Sequence, residues 1–103
     1  MSDIALGENI RLVGFRELEP AKLIVVKKMV GNYARKMKDQ VAPVQELSLT
    51  LKEVHHGENE KKKKYEVMGK VLYEKHHPAN AEVIDFNLFF AIDKVLQKLL
   101  HEK

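Results

Sequence analysis

The sequence predicts an α+β two-layer sandwich in the order β-α-β-β-β-α, a four-stranded sheet with two helices on one face. Three observations carry that prediction. Apolar residues recur at helical spacing in two stretches, 20–38 and 88–100. Between them the period falls to two: Leu47, Leu49 and Leu51 alternate with polar residues, as do Tyr65, Val67, Gly69, Val71 and Tyr73 further on. A turn-like Gly57-Glu58-Asn59-Glu60 separates these two runs and marks an antiparallel hairpin. Each element has one apolar side to bury, and covering one sheet face with both helices satisfies all of them.

Residues 1–8 are polar and aperiodic and are expected to be flexible. Residues 10–15 read as a short strand, with Gly14 near its end marking a bulge or a close backbone approach. Pro20 suits the first position of a helix, where its missing N–H is not needed. Helical projection then gathers Val26, Met29, Val30, Tyr33 and Met37 on one side, with Leu23 and Ala34 at the margin. Gly31 costs that helix about 0.8–1 kcal/mol relative to Ala, and Pro43 forbids its continuation. After the hairpin, Pro78-Ala79-Asn80 is expected to turn the chain into a fourth strand over 81–84. Asp85 or Asn87 can cap the last helix. There Leu88, Ala91, Ile92, Val95, Leu96 and Leu99 form the apolar stripe, and Phe90 falls off it among polar positions.

A chain of 103 residues suffices for a single domain, 1–103, and not for two cores. No apolar run reaches the ~18–20 residues needed to cross a bilayer. The first residues lack the basic and apolar pattern of a secretory leader. A soluble, cytoplasmic protein without a membrane partner is expected. Cysteine is absent, which removes disulfides, thiol nucleophiles and Cys-based zinc sites. The pairs His55-His56 and His76-His77 could bind a metal. They fall at opposite ends of the hairpin, roughly 40 Å apart at ~3.3 Å per residue, and neighbouring strand residues face opposite ways. No metal or other cofactor is expected. Glu53, His55 and Glu58 are the only acid and base cluster, and no nucleophile elbow, glycine-rich phosphate loop or carboxylate pair accompanies them. The chain reads as a non-enzyme with no evident small-molecule substrate.

Charge is where the sequence is most uneven. Lys22, Lys27, Lys28, Arg35, Lys36 and Lys38 lie within residues 20–38, and no acid does. The chain has 18 Lys and Arg in all, so the remainder holds 12 against 15 acids. Lys27, Lys38, Arg35 and Lys28 project away from the apolar side over about 100° of arc. A helix face of this kind can simply be solvated, but it also fits phosphate oxygens. Lys94 and Lys98 stand on the polar side of the last helix. If the two helices pack side by side, these six cations are expected to form one continuous basic surface. The run Lys61, Lys62, Lys63 and Lys64 at the hairpin end is either a solubilising loop or a further phosphate contact.

Two stretches resemble the ribosome hibernation-promoting factors, the protein Y or ribosome-associated inhibitor family. One is Ile10-Arg11-Leu12-Val13-Gly14, then Leu18-Glu19-Pro20 and the basic helix. The other is Ala81-Glu82, then Asn87-Leu88-Phe89-Phe90-Ala91-Ile92-Asp93 and Lys98-Leu99. The chain is similar to a short, divergent member, departing from the usual pattern at Phe15, Glu19, Asn87 and Phe90 and lacking the dimerisation domain of the long members. The resemblance implies binding to ribosomal RNA of the small subunit, in the channel of messenger and transfer RNA, and inhibition or modulation of translation. It makes Lys27, Lys28, Arg35, Lys38, Lys94 and Lys98 the candidate RNA contacts, with Lys61, Lys62, Lys63 and Lys64 beside them. Two rival readings use the same fold. One is a general structured-RNA binder. The other is a protein-interaction module or weak homodimer using the open sheet face, where Met68 and Leu72 lie.

Overall fold

The alternation in the middle of the chain folds into one long hairpin, and every other element is placed by it. A computed structural model describes residues 3–7, 9–55 and 63–101. In chain order the elements are β1 (Asp3–Ala5), β2 (Ile10–Val13), α1 (Pro20–Gln40), β3 (Val44–His55), β4 (Lys63–Tyr73), β5 (Ala79–Asp85) and α2 (Leu88–His101). The sheet order is β1-β2-β3-β4-β5. β2 runs parallel to β3, with Leu12 opposite Leu49, and the other pairs are antiparallel. A parallel pair needs a crossover, and α1 supplies it. No helix among the described residues is long and apolar enough to cross a membrane.

The layer arrangement agrees with the sequence, but the strand count does not. Five strands replace the expected four, because Asp3–Ala5 pairs along the outer edge of β2. Ile4 sits opposite Leu12 and packs against the core, so a segment expected to lack structure contributes to it. Three residues are too few for a period to show.

Two further boundaries move. β2 ends at Val13 because Gly14 turns left-handed, with φ at 82°. A Cβ at Gly14 would fall onto the Leu51 carbonyl oxygen, so the close approach read from the sequence is real. Phe15 then turns inward and is fully buried. The second shift is the turn after β4, which lies at residues 74–76 rather than at Pro78-Ala79-Asn80. The Glu74 N–H donates to the Pro43 carbonyl at 2.9 Å, the His76 N–H to the Tyr73 carbonyl at 3.2 Å, and Lys75 takes φ 65°. Pro78 immediately precedes β5, where a missing N–H interrupts no ladder. The Gly57-Glu58-Asn59-Glu60 turn lies outside the described residues.

Both helices lie on one face of the sheet. Leu12, Leu47, Leu49, Leu51, Val67 and Val71 point toward them and are buried. α1 contributes Val26, Val30 and Met37, with Met29 and Tyr33 half-buried at its margin. The whole predicted stripe of α2 is buried, together with Leu100. Asn87 caps α2, its Oδ1 accepting the Phe90 N–H at 3.0 Å, while Asp85 Oδ1 accepts the Asn87 N–H at 2.8 Å. The Tyr73 hydroxyl donates to the Leu99 carbonyl at 3.3 Å, tying the last turn of α2 to the end of β4.

Gly69 sets the distance between α2 and the sheet. A Cβ on it would come within 2.5 Å of Val95 Cγ1 and 2.9 Å of Leu99 Cδ1. Gly69→Ala is therefore expected to destabilise the fold by about 1–3 kcal/mol through overpacking. Gly31 in α1 has open space around its Cα, so Gly31→Ala should instead stabilise by about 0.5–1 kcal/mol. Urea unfolding midpoints of the two variants, moving in opposite directions, check both expectations.

Candidate nucleic-acid interface

α1 carries its cations where its apolar side cannot reach. At 1.5 Å per residue its 21 residues make a rod about 31 Å long. Lys27, Lys28, Arg35 and Lys38 are all exposed along it. Among the described residues, none of the four has a carboxylate within 4.0 Å. Arg35 donates from Nη2 to Asn32 Oδ1 at 2.9 Å, a contact that orients the guanidinium without neutralising it. Arg35 and Lys38 border an open depression floored by Asn9, Ile10, Gly31 and Val44, at the β2 side of the molecule.

Lys98 lies elsewhere. It borders a second depression with Asn80, Glu82 and His101, beside β5. Because β3 and β4 separate β2 from β5 in the sheet, Lys98 and the Arg35–Lys38 pair occupy opposite flanks. The expected continuous basic surface is thus two regions with a seam between them.

The seam is polar and internally satisfied. Tyr33 of α1 donates its hydroxyl to Asp93 Oδ1 at 2.8 Å, and Gln97 Nε2 donates to Asp93 Oδ2 at 2.9 Å. Both oxygens of Asp93 therefore have partners inside the protein. Burial raises the Tyr33 phenol above its ordinary value of 10.0, and the hydrogen bond to Asp93 adds to the rise. Two lysines flank the seam over aromatic rings. Lys36 Nζ is 5.0 Å from the Tyr33 ring centroid, and Lys94 Nζ is 5.3 Å from that of Phe90. Lys36, one of the six cations of this stretch, is not among the candidate contacts because it projects toward the seam and away from the other four.

The basic run at the hairpin end is split by the pleat. Lys61 and Lys62 lie outside the described residues, whereas Lys63 and Lys64 are the first residues of β4. Neighbours on a strand point to opposite faces. Lys63 approaches Glu53 at 3.9 Å in an exposed pair, worth little in water. Lys64 instead lies 5.1 Å from the Phe86 ring centroid. Phe86 is exposed just after β5 and belongs to no motif of the sequence. Only the register that places Lys64 next to it could have revealed it.

The other candidate chemistry gains no geometry. Glu53 is engaged by Lys63, and Glu58 lies outside the described residues. His55 ends β3 and pairs with Lys63 at one end of the hairpin, whereas His76 follows β4 at the other. No group of three metal-ligating side chains occurs among the described residues. Comparison of the sequence with known proteins finds no matching family model and no significant match among curated proteins.

The Tyr33 hydrogen bond gives this surface a pH signature. In the unfolded chain the phenol ionises near pH 10.0, and in the fold it ionises higher. The stability this difference supplies is present below pH 10 and is lost as pH rises through the raised value. Tyr33→Phe should cost about 1 kcal/mol at neutral pH and make the alkaline loss shallower. The share due to Tyr73, whose phenol is also raised by burial, remains. Thermal melts of both proteins across pH 8 to 11.5 read this directly.

Proposed function

We propose that this chain is a non-enzymatic RNA-binding protein of the ribosome hibernation type. In this reading the outer face of α1 lies against ribosomal RNA of the small subunit, and its occupancy inhibits or modulates translation in the cytoplasm. The observation that carries the reading is the set Lys27, Lys28, Arg35 and Lys38, exposed on a rigid helix with no carboxylate partner among the described residues. Cations spread over a rod can meet phosphates of a folded RNA, which is recognised mainly by shape and backbone contact. The succession β2, α1, β3, β4, β5, α2, with both helices on one sheet face, supports the likeness to the hibernation factors.

The seam defines how the contact is made. Asp93 is held by Tyr33 and Gln97, so it places no bare carboxylate between α1 and Lys94. The primary footprint is therefore the β2 side and outer surface of α1, with Lys36 and Lys94 at its margin and Lys98 on the far flank. On the open sheet face Met68 and Leu72 are half-buried and Ile84 is 52% exposed, among the polar Ser48, Thr50, Glu66 and Lys70.

Each phosphate neutralised contributes a slope of about −0.7 to −0.9 in log affinity against log salt, so four contacts give a slope near −3. The variant Lys28→Glu, Arg35→Glu, Lys38→Glu should lose co-sedimentation with small ribosomal subunits while keeping its circular dichroism spectrum. Undiminished co-sedimentation of that folded variant would refute the assignment. Competition by free RNA duplexes at the same molar concentration as subunits separates a ribosome-specific protein from a general structured-RNA binder.

A further inference from the structure

Gly31 stands in the middle of α1, where glycine is the least favourable residue after proline. Packing does not explain it. A Cβ at Gly69 would strike α2, whereas a Cβ at Gly31 would meet nothing within 4 Å. What the missing side chain does is leave a depression open beside the helix, about 330 Å³ in volume. Gly31, Ala34, Arg35 and Lys38 recur at the i, i+3, i+4 and i+7 spacing of one helix stripe and line it from α1. Ile10 and Val44, at the starts of β2 and β3, line it from the sheet.

The lining divides by chemistry. Ile10, Ala34 and Val44 are apolar and half-buried, and with the bare Gly31 backbone they offer a surface against which a flat apolar group can lie. Arg35 and Lys38 add two exposed cations, and no described lining residue is acidic. Asn9 is held by its Nδ2, which donates to the Val44 carbonyl at 2.8 Å, and by its carbonyl, which accepts the Leu47 N–H at 2.8 Å. Its Oδ1 oxygen can accept from an amine. A fitting ligand is therefore flat in one part, anionic in another and carries polar hydrogens at an edge. A nucleotide has all three, as base, phosphate and exocyclic amine. An acidic protein segment would match the charge, but lysine is depleted at protein interfaces and is ordinary company for phosphates. In folded RNA, the bases that proteins read are unpaired ones in loops and bulges, and an arginine plane is one surface on which they stack.

We infer that the depression over Gly31 receives the base of one unpaired RNA nucleotide, with the adjoining phosphates on Arg35 and Lys38. The inference rests on the RNA-binding reading above and deepens it. α1 then grips RNA where a base is turned out of the helix, and Gly31 serves that contact rather than the fold.

Fluorescence anisotropy with three labelled RNA duplexes tests this. One is fully paired, one has a single bulged nucleotide, and one has the same bulge without its base. The wild type should bind the bulged duplex at least about 5-fold more tightly than the other two, the lower end of what one stacked base contributes. Gly31→Leu fills the depression and keeps every cation, so it should abolish that preference and bind the paired duplex as the wild type does. Gly31→Ala should reduce the preference in part, and because this variant is expected to be the more stable protein, its loss cannot come from unfolding. A bulged duplex held no more tightly than its abasic counterpart, or a preference undiminished in both variants, would overturn the inference. In either case, binding of small subunits by the wild type and its loss in the triple glutamate variant leave the function proposed for α1 standing. If the wild type binds neither the duplexes nor small subunits, both readings fall together.

Discussion

The absence of a side chain at Gly69 is the constraint on which the rest of the architecture depends. Val95 and Leu99 descend into the space over that residue, where Leu49 also points. Gly69 sits on the central hairpin, opposite Leu49 on β3 and Ala81 on β5. α2 thus rests low over β4 and β5 and buries its entire apolar stripe. That position brings Asp93 to the height of Tyr33, and the hydrogen bond between them fixes the neighbouring helix. One missing methyl group in a strand thereby sets how closely α2 approaches the sheet.

α1 itself is not arranged for its own stability. It has no acidic residue in its first turn to complement the helix dipole, and no side chain caps its start. Arg35 and Lys38 are three residues apart, a like-charge spacing that costs a helix a few tenths of a kcal/mol. Gly31 adds its own penalty in the middle. What holds the helix is packing of Val26, Val30 and Met37 on the sheet. In the function proposed above, an anionic surface outside the protein would offset these like charges.

Much of this was readable from spacing. The stripes of α1 and α2, the alternation of β3 and β4, and the close approach at Gly14 all follow from residue periods or a single glycine. β1 escaped because three residues cannot display a period. The turn at Lys75 escaped because a lysine in a left-handed conformation leaves no compositional mark, whereas Pro78 nearby drew attention to itself. Lys28 and Arg35 were legible as a helix face, but the separation of Lys98 from them depends on strand order, which periodicity does not encode. Gly69 read only as one position on a strand face. The Lys64 and Phe86 pair is invisible until the register of β4 against β5 is known.

The parallel pairing of β2 with β3 has a consequence for how the chain assembles. Leu12 meets Leu49 across 37 positions of sequence, whereas His55 meets Lys63 across 8. Loop-closure entropy grows as (3/2)RT ln n, so the crossover costs about 1.4 kcal/mol more to close than the hairpin does. In an ordering set by loop closure alone, β3, β4, β5 and α2 come together as a local unit, and α1 with β2 joins them last. The most basic segment of the chain is then synthesised early and seated late. It stays an unplaced polycation until the sheet that defines its buried side exists.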